Sequence, residues 1–468
     1  MKPYDQAFYV ITGGTMVHVA PHFSFCAPAY GSVGQSIKMR LQHRLNEHYG
    51  HPEDAPDVVL LRTEMARAGS KRTAEELETF EACGISRLET NDDLSQLIDG
   101  LIADDETRCI VMAAAVCDWE PTDISQMCNV YGDSICEFGK HAKRLSTRPT
   151  IPGASPDLCI GAKPSNKLIK RIREARKDIF LVGFKATSGE EVQETYRQGL
   201  RLLKQNSCNL VFANDVHNHH NMVITPEEFP YHGENRKDAI GLLCDMITQR
   251  TDHHFVPTVM VDHAVADPQQ LHDDGAIPQN FVPVLKHLIA SGAYKPFLNR
   301  TAGHFGCKVI DPNYIYERIS SVRKVNHNNV FTEGMARIFS SGHDRIRAGG
   351  VGKPSVGEHT QRTIYAKLGD AAHSIVHFHC PLKAEAVATL VRQYGKISTA
   401  SQKDFECGSV ECAVNTTNNM RLIADGVWAV HLEGHGPNIA FHKDVPASVV
   451  IALIDQFWNL SEKTGGPV

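Results

Sequence analysis

Short apolar runs alternate with amphipathic stretches through the first half of the chain. The runs Phe8 to Thr12, Val58 to Leu61, Cys109 to Val116, Ile179 to Phe184 and Leu210 to Ala213 are continuously hydrophobic, as strands buried on both faces are. Strands separated by helical patterns predict a parallel sheet covered on both sides, with ligands bound at the carboxyl ends of the strands. Two such ends carry small or polar residues: Thr12-Gly13-Gly14-Thr15 after the first run and Asn214-Asp215 after the fifth. Residues 251–278 interrupt the pattern, with Pro257, Pro268 and Pro278 set among polar residues, and predict a connector without a long regular element. Beyond it, Ser374-Ile375-Val376-His377-Phe378-His379-Cys380 is β-branched and apolar enough to predict a strand.

A length of 468 residues implies two or three domains. With 42% hydrophobic and 22% charged residues, each can bury a sizeable core. A net charge of −6 gives no reason to expect nucleic acid or an anionic membrane as partner. The 13 cysteines stand singly, without the spacings of a disulfide framework or a zinc ribbon, and read as reduced thiols. No stretch approaches the 18 or so apolar residues of a membrane span, and Met1 to Asp5 does not open a signal peptide. The expectation is a soluble, cytoplasmic protein.

Candidate chemistry concentrates near the C-terminal end. In a strand, residues two apart point to one face, so His377 and His379 present two imidazoles side by side, able to ligate Zn²⁺ at about 2.0–2.1 Å. His435, flanked by Gly434 and Gly436, is the candidate third ligand, with His431 as its competitor. The triplet alone is weak, since a chain with 25 histidines holds about one His-x-His by chance. His217-Asn218-His219 is another, and a structural histidine pair is the default reading.

The residues around it carry more. Lys353-Pro354-Ser355-Val356-Gly357-Glu358, a helical stretch through Ile364, Tyr365 and Leu368, then His377-Phe378-His379 and His435-Gly436 resemble, in order, the class II aldolase (adducin-like) family. Leu288 to Gly292 and Thr301-Ala302-Gly303-His304-Phe305-Gly306 are similar to its first helix and anion-binding turn. The resemblance covers most of residues 279–468. It implies a divalent metal, Zn²⁺ or another, on His377, His379 and His435, with Glu358 as general base. It also implies an anion or substrate site at Gly303, His304, Ser340, Ser341, Gly342 and Ser355, a small carbohydrate-like substrate, and a homo-oligomer, tetramer or dimer. Such a metal acts as a Lewis acid on a carbonyl and its neighbouring hydroxyl. Aldol cleavage, epimerisation, dehydration and decarboxylation all stay open. Two departures concern phosphate: His304 replaces the family's asparagine, and Ser355-Val356-Gly357 replaces its paired serines with one residue more.

In the first half, Val10-Ile11-Thr12-Gly13-Gly14-Thr15, Gly31-Ser32-Val33-Gly34, Ala113 to Trp119, Leu181-Val182-Gly183-Phe184 and Val211 to Val216 resemble the phosphopantothenoylcysteine synthetase family. The fold class implied for the chain is α/β: a Rossmann-like parallel-sheet domain over 1–250, then a class II aldolase-like α/β/α domain over 279–468. The resemblance implies a nucleotide cleft for CTP or ATP with Mg²⁺, formed by Gly13, Gly14, Thr15, Gly31, Ala115, Asp118, Lys140, Lys143, Phe184 and Asn214. Several of that family's working positions are changed here, at Ala27, Ala29, Tyr30 and Asn206, so altered chemistry or a binding role is expected of this half. Three readings follow: a metal-dependent lyase carrying a synthetase-like domain, a bifunctional enzyme that also activates a carboxylate, and a non-catalytic scaffold. Retention of Glu358 with the three histidines favours the first.

Overall fold

The structure is a computed structural model that describes residues 6–20, 23–67, 69–128, 135–137, 154–261, 267–323, 325–342, 344–385 and 399–464. Two compact units are present. One comprises Met1–Ala186, Leu202–Asn214 and Gly233–Thr248, the other Thr187–Arg201, Asp215–His232 and Gln249–Val468.

The five apolar runs of the first half all form strands: β1 (Ala7–Gly14), β2 (Asp57–Arg62), β3 (Thr107–Ala115), β4 (Phe180–Thr187) and β5 (Leu210–Asp215). They lie in the order β5-β4-β3-β1-β2, and β1 runs parallel to both β2 and β3. All but the first residue of β1 are buried, as the unbroken hydrophobic pattern requires of a central strand. Helix α1 (Ser32–Tyr49) follows β1 and buries Gly34, Ile37, Leu41 and Leu45 along one face. Helix α2 (Asn91–Ala103) precedes β3 and begins with a capping box: Thr90 Oγ1 accepts from Asp93 N while the Asp93 carboxylate accepts from Thr90 N. That reciprocal pair satisfies two amide donors that a helix start leaves open. Its apolar stripe, Leu94, Leu97, Ile98 and Leu101, is buried.

The second unit is built on a ten-stranded sheet. Its strands are β6 (Thr258–Val261), β7 (His304–Lys308), β8 (Arg318–Ser321), β9 (Met335–Ser341), β10 (Ile346–Gly349), β11 (Ser374–His377), β12 (Thr399–Ser401), β13 (Arg421–Ala424), β14 (Val427–Glu433) and β15 (Gly436–Phe441). The order is β6-β10-β9-β8-β7-β11-β15-β14-β12, with β13 also paired to β14. Helices α3 (Phe281–Ala290), α4 (Glu358–Leu368), α5 (Val410–Asn419) and α6 (Ala447–Phe457) belong to the same unit. Phe281, Leu285 and Leu288 of α3 join Val450, Ile454 and Phe457 of α6 and Phe305, Val376 and Phe441 of the sheet in one buried cluster. Each such side chain contributes about 1.5–3 kcal/mol by leaving water.

The α/β class expected from the sequence is the one observed. The described part of the connector holds only short elements, a six-residue helix over Pro268–Asp273 and the strand β6, which pairs parallel with β10. Four residues of mixed exposure give too short a pattern to read. The strand expected over residues 374–380 ends at His377, because the next segment leaves the ladder: Thr464 N donates to His379 O (3.1 Å).

Candidate metal centre

Strand register assembles the centre. His304 on β7 lies directly opposite His377 on β11, and His377 lies opposite Asn438 on β15. His435 occupies the turn between β14 and β15, where Gly434 and Gly436 both adopt left-handed backbone (φ 76° and 126°). A Cβ on Gly436 would lie 2.1 Å from Phe378 O, so only glycine lets residues 378 and 379 pass against the turn. Thr464 fastens both histidine segments, its N to His379 O and its Oγ1 to His435 O (3.2 Å).

The three rings meet edge to face, with centroids 5.0 Å (His377 to His379), 4.4 Å (His377 to His435) and 4.7 Å (His379 to His435) apart. One ligand nitrogen from each lies within 4.8 Å of the others. His377 Nδ1 donates to Pro437 O (2.7 Å), which leaves a lone pair on Nε2, and that atom faces His435 Nε2 at 3.1 Å. Burial pushes His377 down to about 4, and burial with the neighbouring His377 and His304 pushes His435 well below its ordinary value. Both imidazoles are therefore neutral at pH 7, the form that binds metal. His435 Nδ1 is buried with no hydrogen-bond partner among the described residues. A carbonyl-oriented imidazole whose second nitrogen converges with two others is the arrangement that metal-binding histidines adopt, so this donor set fits a divalent ion. His431 lies outside the group, its Nδ1 accepting from Trp458 Nε1 at 3.4 Å.

Glu358 is the first residue of α4 and is buried. Its Oε1 accepts from Arg318 Nη2, and the same nitrogen donates to Ser341 Oγ (2.7 Å). Burial works against the Arg318 cation, but the facing carboxylate outweighs it and keeps the guanidinium charged. Glu358 Oε2 has no hydrogen-bond partner among the described residues. The histidines adjoin this carboxylate through His304. A Cβ on Gly357 would sit 1.9 Å from His304 Cδ2, and the His304 and His377 rings are 4.7 Å apart.

Of the anion-site candidates, Ser341 is held by Arg318, and Gly342 O accepts from Arg362. Ser355 shapes the start of α4, its carbonyl accepting from Glu358 N (3.0 Å) and its hydroxyl from Gly357 N (3.3 Å). Ser340 lies on β9 beside Ser341. Gly303 (φ 97°) allows a close approach to His377 O, which a Cβ would meet at 2.5 Å. His304 Nδ1 accepts from Gln361 Nε2 (3.0 Å). Arg318, Gln361 and Thr464 were missed by sequence reasoning. An arginine inside the short run Arg318-Ile319-Ser320-Ser321 was the one available signal, since a buried cation needs a partner.

In the first unit, the glycines of the expected nucleotide cleft let chain segments meet one another. A Cβ on Gly13 would lie 2.1 Å from Thr63 Oγ1, one on Gly14 1.9 Å from Ala27 O, and one on Gly31 2.7 Å from Ala66 Cβ. Thr15 Oγ1 donates to Asn91 Oδ1 (2.6 Å) and accepts from Cys117 N (2.9 Å), while Thr15 N donates to Ala115 O. Asp118 is exposed and accepts from Lys167 Nζ (3.0 Å). Phe184 stacks on Phe212 at 5.2 Å, and Asn214 lies half-buried at the end of β5. A cavity of about 540 Å³ opens beside these elements, lined by Phe25, Ala27, Cys117, Asp118 and Trp119 among others. Lys140 and Lys143 lie outside the described residues.

In the second unit, His217 and His219 form no ligand group among the described residues. His254 pairs with Glu411 at 2.8 Å. No described helix is long and apolar enough to cross a membrane.

No protein-family profile and no curated protein matches the chain. Among solved structures, it is similar to the DNA/pantothenate metabolism flavoprotein from Streptococcus pneumoniae, 18% identical with a TM-score of 0.39, over 52% of this chain and 98% of that one. The C-terminal domain of a bifunctional coenzyme A biosynthesis protein is 13% identical with a TM-score of 0.35, over 52% and 95%. A sugar-phosphate aldolase from Thermotoga maritima is 18% identical with a TM-score of 0.29, over 39% and 94%. Each of these likenesses is one of fold.

Proposed function

We propose that the protein is a divalent-metal-dependent lyase of the class II aldolase type, acting on a small polyhydroxylated substrate such as a sugar, sugar phosphate or sugar acid. The observation that carries this reading is the convergence of three buried histidines, their ligand nitrogens within 4.8 Å of one another, beside a buried glutamate with an unpartnered oxygen. His377, His379 and His435 would hold the ion, which when bound supplies Lewis acidity to a substrate carbonyl and adjacent hydroxyl.

The chain's own residues do the rest. Arg318 fixes the Glu358 carboxylate through Oε1, while Oε2 is left to take up and return a proton. Gln361 orients His304, whose ring packs against both Gly357 and His377 and so sets the distance between the proton-transfer group and the metal ligands. The depth of the histidines excludes bulk water and keeps His377 and His435 neutral. For the first unit the reading is a nucleotide-sized cleft attached to this lyase; the 540 Å³ cavity beside Asp118 supports it.

The test is turnover of a panel of ketose phosphates, free ketoses and sugar acids by metal-loaded protein and by Glu358→Gln. The amide keeps an acceptor for Arg318 but cannot shuttle the proton. The variant is expected to retain one ion per chain while losing about 10²- to 10⁴-fold in rate. Full activity in the variant would remove Glu358 from the mechanism.

A further inference from the structure

Cys407 lies in the turn that leads into α5, half-buried, with its Sγ 3.8 Å from His435 Nε2. That nitrogen is the one that faces His377. The next residue, Gly408 (φ 84°), packs so closely on the loop before Glu358 that a Cβ there would lie 2.7 Å from Val356 Cβ. Contacts therefore close a ring: Cys407 to His435, His435 to His377, His377 to His304, His304 to Gly357, and Val356 back to Gly408.

The turn that carries the thiol is firmly held. Arg250, fully buried between Glu227 (3.5 Å) and Glu406 (3.3 Å), donates to the carbonyls of Gln402 (3.2 Å) and Lys403 (2.9 Å). Glu406 N donates to His253 Nδ1 (3.0 Å). Ser409 caps α5 by accepting from Cys412 N (3.0 Å).

Three imidazoles leave a tetrahedral ion one ligand short. With Zn–N near 2.0–2.1 Å and Zn–S near 2.3 Å, neighbouring ligand atoms of such a site stand about 3.3–3.6 Å apart. The nitrogen-to-nitrogen edge of 3.1 Å and the nitrogen-to-sulfur edge of 3.8 Å bracket that range. The sulfur is not part of the group whose ligand atoms all lie within 4.8 Å, so a rotation of the Cys407 side chain completes the set. We propose that the Cys407 thiolate is the fourth ligand, giving a His₃Cys site in the substrate-free protein. This rests on the metal-centre reading above. A soft sulfur donor biases the site toward zinc and cobalt and away from magnesium and manganese, and substrate oxygen has to displace it to reach the ion.

Metal-free protein loaded with Co²⁺ alone tests this without any substrate. Wild type is expected to bind one cobalt per chain and to show a near-ultraviolet thiolate-to-cobalt charge-transfer band. Cys407→Ser is expected to keep the cobalt and lose the band, with Cys407→Ala as a second variant and circular dichroism as the check on folding. The His377→Ala, His379→Ala double variant should lose both, which excludes the other cysteines as the source of the band. Stoichiometric cobalt with no such band, or a band that survives both Cys407 variants, would overturn the Cys407 assignment and leave the histidine centre intact. Failure of wild type to bind cobalt at all would overturn the metal centre and the Cys407 ligand together.

Discussion

Gly436 shows how much of the centre depends on single backbone positions. Its φ of 126° and the 2.1 Å approach that any Cβ would make to Phe378 O mean that Gly436→Ala strains the turn and pushes residues 378 and 379 outward. His379 and His435 then part. The expected outcome is a folded variant that binds well under one divalent ion per chain, measured by plasma mass spectrometry alongside circular dichroism. One ion per chain at wild-type affinity would mean that the turn tolerates the displacement. Residues of this kind were only partly legible. His377, His379, His435 and Glu358 stood out because ligand chemistry and order along the chain marked them. Arg318, Gln361 and Thr464 did not, because their roles depend on strand register and on a tail that returns to the site from the far end of the chain.

Among the elements, buried runs were the most readable. All five apolar runs of the first half became strands of one sheet, since a strand covered on both faces leaves an unbroken hydrophobic signature. The short strand β6 was unreadable for the opposite reason, being only partly covered. Register, which no single segment encodes, put His304 opposite His377 and so decided that His304 packs against the candidate ligand His377.

Burying histidines in these elements has a consequence for stability. His327, His377 and His431 are each pushed down to about 4 by burial, against about 6.5 in an unfolded chain. Between those values the unfolded chain binds more protons, so stability falls as pH drops from 6.5 through 4 and is independent of these groups above 6.5. Each contributes at most on the order of 3 kcal/mol across that window. Chelated protein is expected to have a markedly lower denaturant midpoint at pH 4.5 than at pH 7.5. A midpoint that does not move would show that the histidines are not buried neutral.

For the molecule as a whole, two compact units share one chain, and among the described residues the second brings three candidate histidines into one constellation. In the first, Gly13, Gly14, Gly31 and Thr15 are engaged with neighbouring chain segments, and a cavity open to a ligand lies beside Ala27, Asp118 and Trp119. Isothermal calorimetry with CTP and with ATP, each with Mg²⁺, is expected to show binding to one of them. No heat with either would assign this unit a purely structural role.

The central claim is the histidine centre, and metal content addresses it most directly. Plasma mass spectrometry of purified wild-type protein is predicted to find about one divalent ion per chain, and the His377→Ala, His379→Ala double variant, shown to be folded, is predicted to have lost it. No ion in wild type after incubation with Zn²⁺, or equal metal in both proteins, would contradict the account.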